Sequence, residues 1–465
     1  MNKLSPKTIW LLFILAAVSF LFTLHLSHIG EEGVYTISSF EMWYHKHYLY
    51  PLLYGTNYGR PPMFNWLIIL LAKVVGWSNM LLASRLLTVG ATIGSGLALA
   101  WLGKNIFRAN LFAAFAALAY LTTDALLYHG WLAYSDPLFA LFIFSAIACL
   151  WVAWEREVVV LLVIAVLFLT AAFLTKALTA YVFYLIAFSV LLWLGKRKFL
   201  LQPWSIVLHL GVFCFPLLWA MLTNDLNGSS LIRDIWYWGW EAGKNTAITT
   251  YIKQLVTFPL EIFVRILPIS LVAIYYFWQG KGSFAQTHKV ALKFLMLFVI
   301  ISFMPYWLTT KHSARYILPL YPFIVLWCSY IVWHSGARAL RVALIWCIAA
   351  IIIKYLTVIF WWPYYQSSYR GNYLAVAQDV TQYARDYSLY ENNAGAVEHS
   401  VIDNINILRY PAMPLHSINL KASQESSYFV ITTDSDFNSG SIVRKYTLGK
   451  SGKNIYLLCY GQACV

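Results

Sequence analysis

VVVLLVIAVLFLTAAFLTK, residues 158–176, carries no charge from Val158 to Thr175 and then stops on a lysine. A helix needs about 20 apolar residues to cross the hydrocarbon core of a bilayer. This run is fenced by Glu155-Arg156-Glu157 before it and Lys176 after it, and it has close to that length. Comparable runs begin at Ile9, Leu81, Leu111, Pro137, Ala177, Trp204, Pro259, Val290, Tyr316 and Val342. The chain therefore reads as a polytopic α-helical membrane protein with about eleven spans. The apolar stretch from Met63 to Trp77 is only about 15 residues long, so it is expected to be re-entrant or interfacial.

Composition agrees. Of 465 residues, 60% are hydrophobic and only 11% charged, against about 25% charged in soluble domains. Such a chain cannot cover its own apolar surface in water. The net charge of +14 does not signal nucleic acid, because most Lys and Arg sit in short connections between apolar runs, where they orient a membrane protein. The first run follows Lys3 and Lys7 and lacks a small-residue cleavage site, so it is expected to be an uncleaved anchor.

Basic connections recur at Lys104–Arg108, Arg156, Lys196–Lys198, Lys281–Lys289 and Arg338–Arg341. Placing these in the cytoplasm allows one crossing between Arg60 and Lys104, which keeps the short stretch from spanning. Residues 27–62, 127–136, 175–176, 223–258 and 309–315 are then external. The expected division is a membrane domain, 1–362, whose first periplasmic loop is 27–62, and a soluble periplasmic α/β domain, 363–465. In the latter, Asn372 to Tyr390 is predicted as an amphipathic helix with Leu374, Ala377, Val380 and Tyr383 on one side, and Ser427 to Thr433 and Asn454 to Tyr460 as strands. Cys459 and Cys464 can close a short disulfide if the tail lies outside the cytoplasm. No internal repeat is visible.

The external set holds the residues with chemical potential. Glu31-Glu32 at the exit of the first helix can serve base or metal work, or be a solvated acidic loop. Asp136, before Pro137, is a helix cap and at the same time a site carboxylate. Lys176 either snorkels to the interface or holds a lipid phosphate. Lys311-His312-Ser313-Ala314-Arg315-Tyr316 puts dense positive charge outside, against the orienting rule, which suits an anionic headgroup. Trp236 to Trp240, with Arg233, Lys244 and Lys253, is an interfacial belt or a stacking surface. His45, His47 and His129 are external but lack a specific ligand spacing, leaving room for a divalent metal without defining one. No Walker loop, Rossmann fingerprint, HExxH or GxSxG motif is present.

The order Glu31-Glu32 and Tyr35, Arg60-Pro61-Pro62, Ser135-Asp136-Pro137, Leu174-Thr175-Lys176, Arg315-Tyr316-Ile317-Leu318-Pro319 resembles the GT-C membrane glycosyltransferases of the protein-mannosyltransferase superfamily. It is most similar to bacterial aminoarabinose and galacturonic acid transferases that modify lipid A and core lipopolysaccharide. The resemblance implies a GT-C fold at the bacterial inner membrane and a polyprenyl-phosphate sugar donor. It also implies a lipid or glycan acceptor and a site facing the periplasm. It makes Glu31, Glu32 and Asp136 the catalytic carboxylates. Arg60, Lys176, Lys311, Arg315 and Tyr316 become donor-phosphate ligands, with Tyr35 lining the site. Three positions depart from the family: Glu31 stands for an aspartate, Val34 for an arginine and Gly59 for an acid that can bind zinc. Membrane lipids are the remaining expected partners, and a monomer the expected state. The other functional classes are a transporter or flippase of lipid-linked substrates, a protein O-glycosyltransferase and a non-catalytic assembly factor.

Glu31→Cys, Asp136→Cys and Lys176→Cys, each in an otherwise cysteine-free chain, should all react with a membrane-impermeant maleimide from the periplasmic side. Labelling of any one of them only from the cytoplasmic side would break the topology.

Overall fold

The computed structural model describes residues 5–176, 178–223, 248–280, 288–309, 313–418, 427–450 and 452–464. Every run singled out above falls on helix. Eight helices among the described residues are long and apolar enough to cross a membrane, or nine if a broken pair counts as one span. The broken pair is Thr249–Arg265 and Ile269–Trp278, bent by 104° across Pro268, whose ring removes a backbone donor. Asn110–Leu121 and Thr179–Leu194 are shorter apolar helices, as is Met63–Val75. At 13 residues, Met63–Val75 extends about 20 Å, well short of the hydrocarbon thickness.

The chain forms two compact units that do not follow chain order: residues 1–21, 88–131 and 135–355 in one, and 22–87, 132–134 and 356–465 in the other. The first unit is built around the helix Ser135–Arg156, buried along most of its length. Ala140, Ala146, Ala148 and Ala153 on it are buried, and small side chains of this kind let apolar helices approach closely where lipid supplies no hydrophobic drive. A tight turn at Glu157 (φ 58°) reverses the chain into Val159–Lys176. The helix Pro203–Leu222 exposes Val207, Leu210, Leu217 and Leu222, the surface expected to meet lipid.

The second unit contains a five-stranded sheet. Its strands are β3 (Ser388–Asn392), β4 (His416–Ser417), β5 (Tyr428–Thr432), β6 (Ser441–Leu448) and β7 (Lys453–Tyr460). The preceding Leu52–Leu53 and Thr56–Asn57 form a small hairpin, β1 and β2. The order is β4-β3-β5-β7-β6, with β3 parallel to both β4 and β5 and β7 antiparallel to β5 and β6. Period-2 alternation sends Leu389, Phe429, Ile431 and Leu457 to one face, where Ala377, Val380, Val401 and Ile405 of two helices cover them. Tyr390, Val430 and Ile418 pack on the other face. Cys459 and Cys464 form a disulfide.

The tail helix is shorter than predicted. It ends at Tyr383, and Ser388 to Tyr390 belong to β3. Leu374 and Tyr383 are exposed, while Tyr373, Val376, Ala377 and Val380 are buried. Residues spaced by three drift backward around a helix, so Leu374 and Tyr383, nine positions apart, point about 180° from each other. They cannot share a face.

The helix Glu32–Tyr44 belongs to this unit and packs Ile37 into the same apolar core. Gly33 makes the approach possible: a side chain there would run into the backbone of His399 and Ser400. Lower on this helix, Glu41 is fully buried and accepts the backbone N–H groups of Tyr54 at 2.8 Å and Gly55 at 2.9 Å, holding the β1–β2 turn. Burial pushes its carboxyl up to about 7, against the pull of those two N–H donors. A carboxyl whose folded pKa is raised binds its proton more tightly when folded, so its contribution is present at acid pH and lost as pH climbs through the folded value. The apparent Tm should therefore fall from about pH 4.5 to about 7, with up to about 3 kcal/mol at stake. Glu41→Gln should remove this segment of the slope, and an unchanged slope in that variant would show the group does not titrate there.

Candidate active site

In the first unit a helical hairpin brings two distant positions together. Asp136 lies in the first turn of Ser135–Arg156, where a carboxylate complements the helix dipole. Lys176 is the last residue of the returning helix Val159–Lys176, where a cation does the same. The ammonium of Lys176 donates directly to Asp136 Oδ1. Asp136 is buried and Lys176 half-buried, so the pair lies in surroundings where each charge depends on the other. Lys176 Nζ also sits 4.8 Å from the ring centroid of Tyr316 and 5.7 Å from that of Phe139. The guanidinium of Arg315 lies 5.4 Å from the same Tyr316 ring. Tyr316 and Arg315 come from a tighter 3-10 segment, Ala314–Leu320, which runs directly into the helix Tyr321–His334. Two cations, one carboxylate and a tyrosine thus converge at the end of a packed apolar hairpin. Such a set can hold an anion, with charge-assisted donors beside an aromatic wall.

Close by in the same unit, Arg265 pairs with Asp124 at 3.0 Å. His129 is held down to about 4, mainly by burial, so its ring is neutral at physiological pH.

In the second unit the two first-loop carboxylates separate in role. Glu31 is the exposed cap residue of Glu32–Tyr44, and its backbone N–H donates to the Tyr134 hydroxyl at 3.1 Å. Glu32 is fully buried. Its Oε1 accepts from Arg85 Nε at 2.9 Å and Ala133 N at 2.8 Å, and its Oε2 from Arg85 Nη2 at 2.6 Å and Ile29 N at 2.7 Å. Four donors fill the lone-pair capacity of a carboxylate. The geometry fits Glu32 for positioning the loop rather than for taking a proton, unlike the catalytic role expected beside Glu31. Tyr35 packs edge-on against Phe64 at 5.1 Å and Tyr134 at 6.2 Å. Arg60 is exposed, 5.6 Å from the Tyr58 ring.

Arg85 was not singled out by the sequence argument. The signal was present: a lone arginine within an apolar run is costly in lipid and needs a named partner. Its Nη1 and Nη2 also donate to the carbonyls of Thr23, Leu26 and Ser27, knotting the end of the first helix to the loop. His28 and Asp403, also not foreseen, form a buried hydrogen bond of 2.8 Å.

Lys311 and the Trp236–Trp240 cluster with Arg233 and Lys244 lie outside the described residues. Among the described residues no group of three or more His, Cys, Asp or Glu is placed to hold a metal ion. His45 instead packs edge-on against His416 at 5.5 Å, and His47 Nδ1 faces the Tyr50 carbonyl at 3.2 Å.

The chain has the fold of ArnT from Cupriavidus metallidurans, whose crystal structure bound to undecaprenyl phosphate aligns with a TM-score of 0.74 and 13% identity over 98% of each chain. The apo state of that protein gives a TM-score of 0.70 at 13% identity over 98% of each chain. Archaeal oligosaccharyltransferase AglB from Archaeoglobus fulgidus, in complex with an inhibitory peptide and a dolichol-phosphate, aligns at 0.53 and 11% identity, covering 96% of this chain and 74% of that one. No family model matches the sequence, and no curated protein matches it.

Arg85→Met should lower stability by about 3–5 kcal/mol, because Glu32 is left as a buried charge without its pair. Adding Glu32→Leu should recover only part of this, since the N–H groups of Ile29 and Ala133 then lose their acceptor. Thermal unfolding in detergent reads both effects; a single variant as stable as the parent would show the pair is dispensable.

Proposed function

We propose that the chain is a membrane glycosyltransferase that moves a sugar from a polyprenyl-phosphate carrier, undecaprenyl phosphate in a bacterium, to an acceptor hydroxyl or phosphate. The acceptor is lipid A, core lipopolysaccharide or another surface glycan, met at the periplasmic face of the inner membrane. The observation that carries this is the Lys176–Asp136 pair beneath Tyr316 and Arg315, a set of anion ligands at the end of lipid-length helices. The undecaprenyl phosphate in the ArnT structure and the dolichol-phosphate in the AglB structure support the same class of donor.

In this reaction the bond between the anomeric carbon and the phosphate oxygen breaks, and the phosphate leaves with the electron pair. The negative charge that grows on the leaving oxygen is what Lys176 and Arg315 stabilise, with Arg60 and Lys311 assigned the same task. One N–H of Lys176 is occupied by Asp136, and an ammonium has two more to offer phosphate oxygens. Asp136 fixes the direction of that ammonium. Glu31 is the group assigned to take the proton from the acceptor as its oxygen attacks the anomeric carbon. A single displacement of this kind inverts the anomeric centre. Tyr316, beside Lys176, supplies an apolar wall that keeps water from competing as acceptor, and Tyr35 is assigned to the same site by the resemblance.

Arg60→Ala and Glu31→Gln should each lose at least about a hundredfold in transfer while inserting and melting like the parent; Lys176→Ala should lose as much and melt lower, because Asp136 is left buried without its partner. The readout is consumption of radiolabelled undecaprenyl-phosphate sugar by detergent-solubilised protein, with no membrane gradient. Parental rates in both Glu31→Gln and Asp136→Asn would overturn the assignment. Absence of any turnover without a gradient would favour transport of a lipid-linked substrate.

A further inference from the structure

The second unit contains a cavity that the proposed transfer reaction does not use. It has a volume of about 540 Å³ and is lined by Leu53, Tyr54, Glu391, Asn392, Asn393, Ala394, His399 and Ser417. It opens at the carboxyl ends of the parallel strands β3 and β4, beside the first turn of the helix Ala396–Arg409. Open α/β sheets bind ligands in this position, where connecting segments diverge from the strand ends. The volume falls within the range of small-molecule sites.

The lining is held from several sides. Tyr54, Glu391, Asn392 and His399 are each at most 9% exposed. The Tyr54 hydroxyl donates to His399 Nδ1 at 2.6 Å, and the two rings stack with centroids 5.7 Å apart. The carbonyl of Tyr54 accepts from Ser417 N at 3.1 Å. Glu391 Oε2 accepts the N–H of Ala394 at 3.2 Å. Asn392 Nδ2 donates to Thr432 Oγ1 at 3.4 Å. Asn393 is exposed at the mouth with φ of 53°, a left-handed conformation that Asn tolerates.

The chemistry of the lining narrows the ligand. Among the described residues no Lys or Arg lines the cavity, so a phosphate or carboxylate would meet Glu391 and polar dipoles there. Burial holds His399 down to about 4, which keeps the ring neutral and unable to replace a cation. What remains is a mixed set of acceptors and donors from a carboxyl, two amides, an imidazole, a phenol and a hydroxyl, beside the small apolar surfaces of Leu53 and Ala394. The hydroxyls and apolar C–H edges of a sugar ring suit that mixture.

We propose that this cavity is a carbohydrate-binding site for an uncharged mono- or disaccharide unit, separate from the residues assigned to sugar transfer and independent of that assignment. Glucose, galactose, N-acetylglucosamine, maltose and chitobiose, with inorganic phosphate and glucosamine as charged counterparts, can be titrated against the full-length protein in nanodiscs by saturation-transfer NMR, without any lipid-linked donor. At least one uncharged sugar should bind with a Kd of about 10 mM or tighter. Asn393→Gly, which keeps the positive φ and removes the amide, should weaken it about five- to tenfold with no change in Tm. Glu391→Gln should weaken the same sugar. Three results would overturn the proposal: no uncharged sugar binding at about 50 mM, binding confined to phosphate or glucosamine, or sugar binding that both substitutions leave untouched.

Discussion

The guanidinium of Arg85 carries a full charge where no water reaches it, and the arrangement of the surrounding chain follows from satisfying it. Glu32 supplies the counter-charge at 2.6 Å, and backbone carbonyls between Thr23 and Ser27 take the remaining donors. Glu32 in turn collects the N–H groups of Ile29 and Ala133. Three stretches far apart in sequence are thereby tied to one ion pair. A pair of this kind adds little net stability over an apolar replacement, yet breaking one partner is expensive. Its consequence here is geometric: Glu31, one residue earlier, is delivered to the exposed cap of a helix whose second carboxylate is locked inside.

The hairpin Ser135–Arg156 and Val159–Lys176 solves a similar problem by other means. Two antiparallel helices of 22 and 18 residues return the chain to the end from which it started. Residues forty positions apart, Asp136 and Lys176, therefore meet. Each sits where the helix dipole favours its charge, so pairing and dipole act in the same sense. The apolar body of the hairpin does not need polar partners, and the chemistry is confined to its end. The rings of Phe139 and Tyr316 flank the ammonium there, adding a favourable cation–ring contact to the ion pair.

The second unit depends on close backbone approach and on buried acids. Gly33 lets the helix Glu32–Tyr44 lie against Ala396–Arg409, and Ile37 enters the sheet's core as a result. Glu41 pins the turn at Tyr54 and Gly55, and Tyr54 then reaches His399. The first loop is in this way a structural part of the sheet's unit.

Hydropathy alone determined that the chain is a multi-pass helical membrane protein with a sheet-bearing tail, because lipid demands long uncharged runs and those runs are visible without knowing their neighbours. The same one-dimensional signal marked Asp136 and Lys176, since helical hairpins have predictable ends. It did not reveal Arg85, the division of labour between Glu31 and Glu32, the strand at Ser388–Asn392, or which side of Tyr373–Tyr383 is buried. Those depend on what a side chain meets across the fold. Adjacent carboxylates with the same local sequence acquire opposite roles when one finds four donors and the other reaches the surface, and only tertiary structure decides which donors arrive.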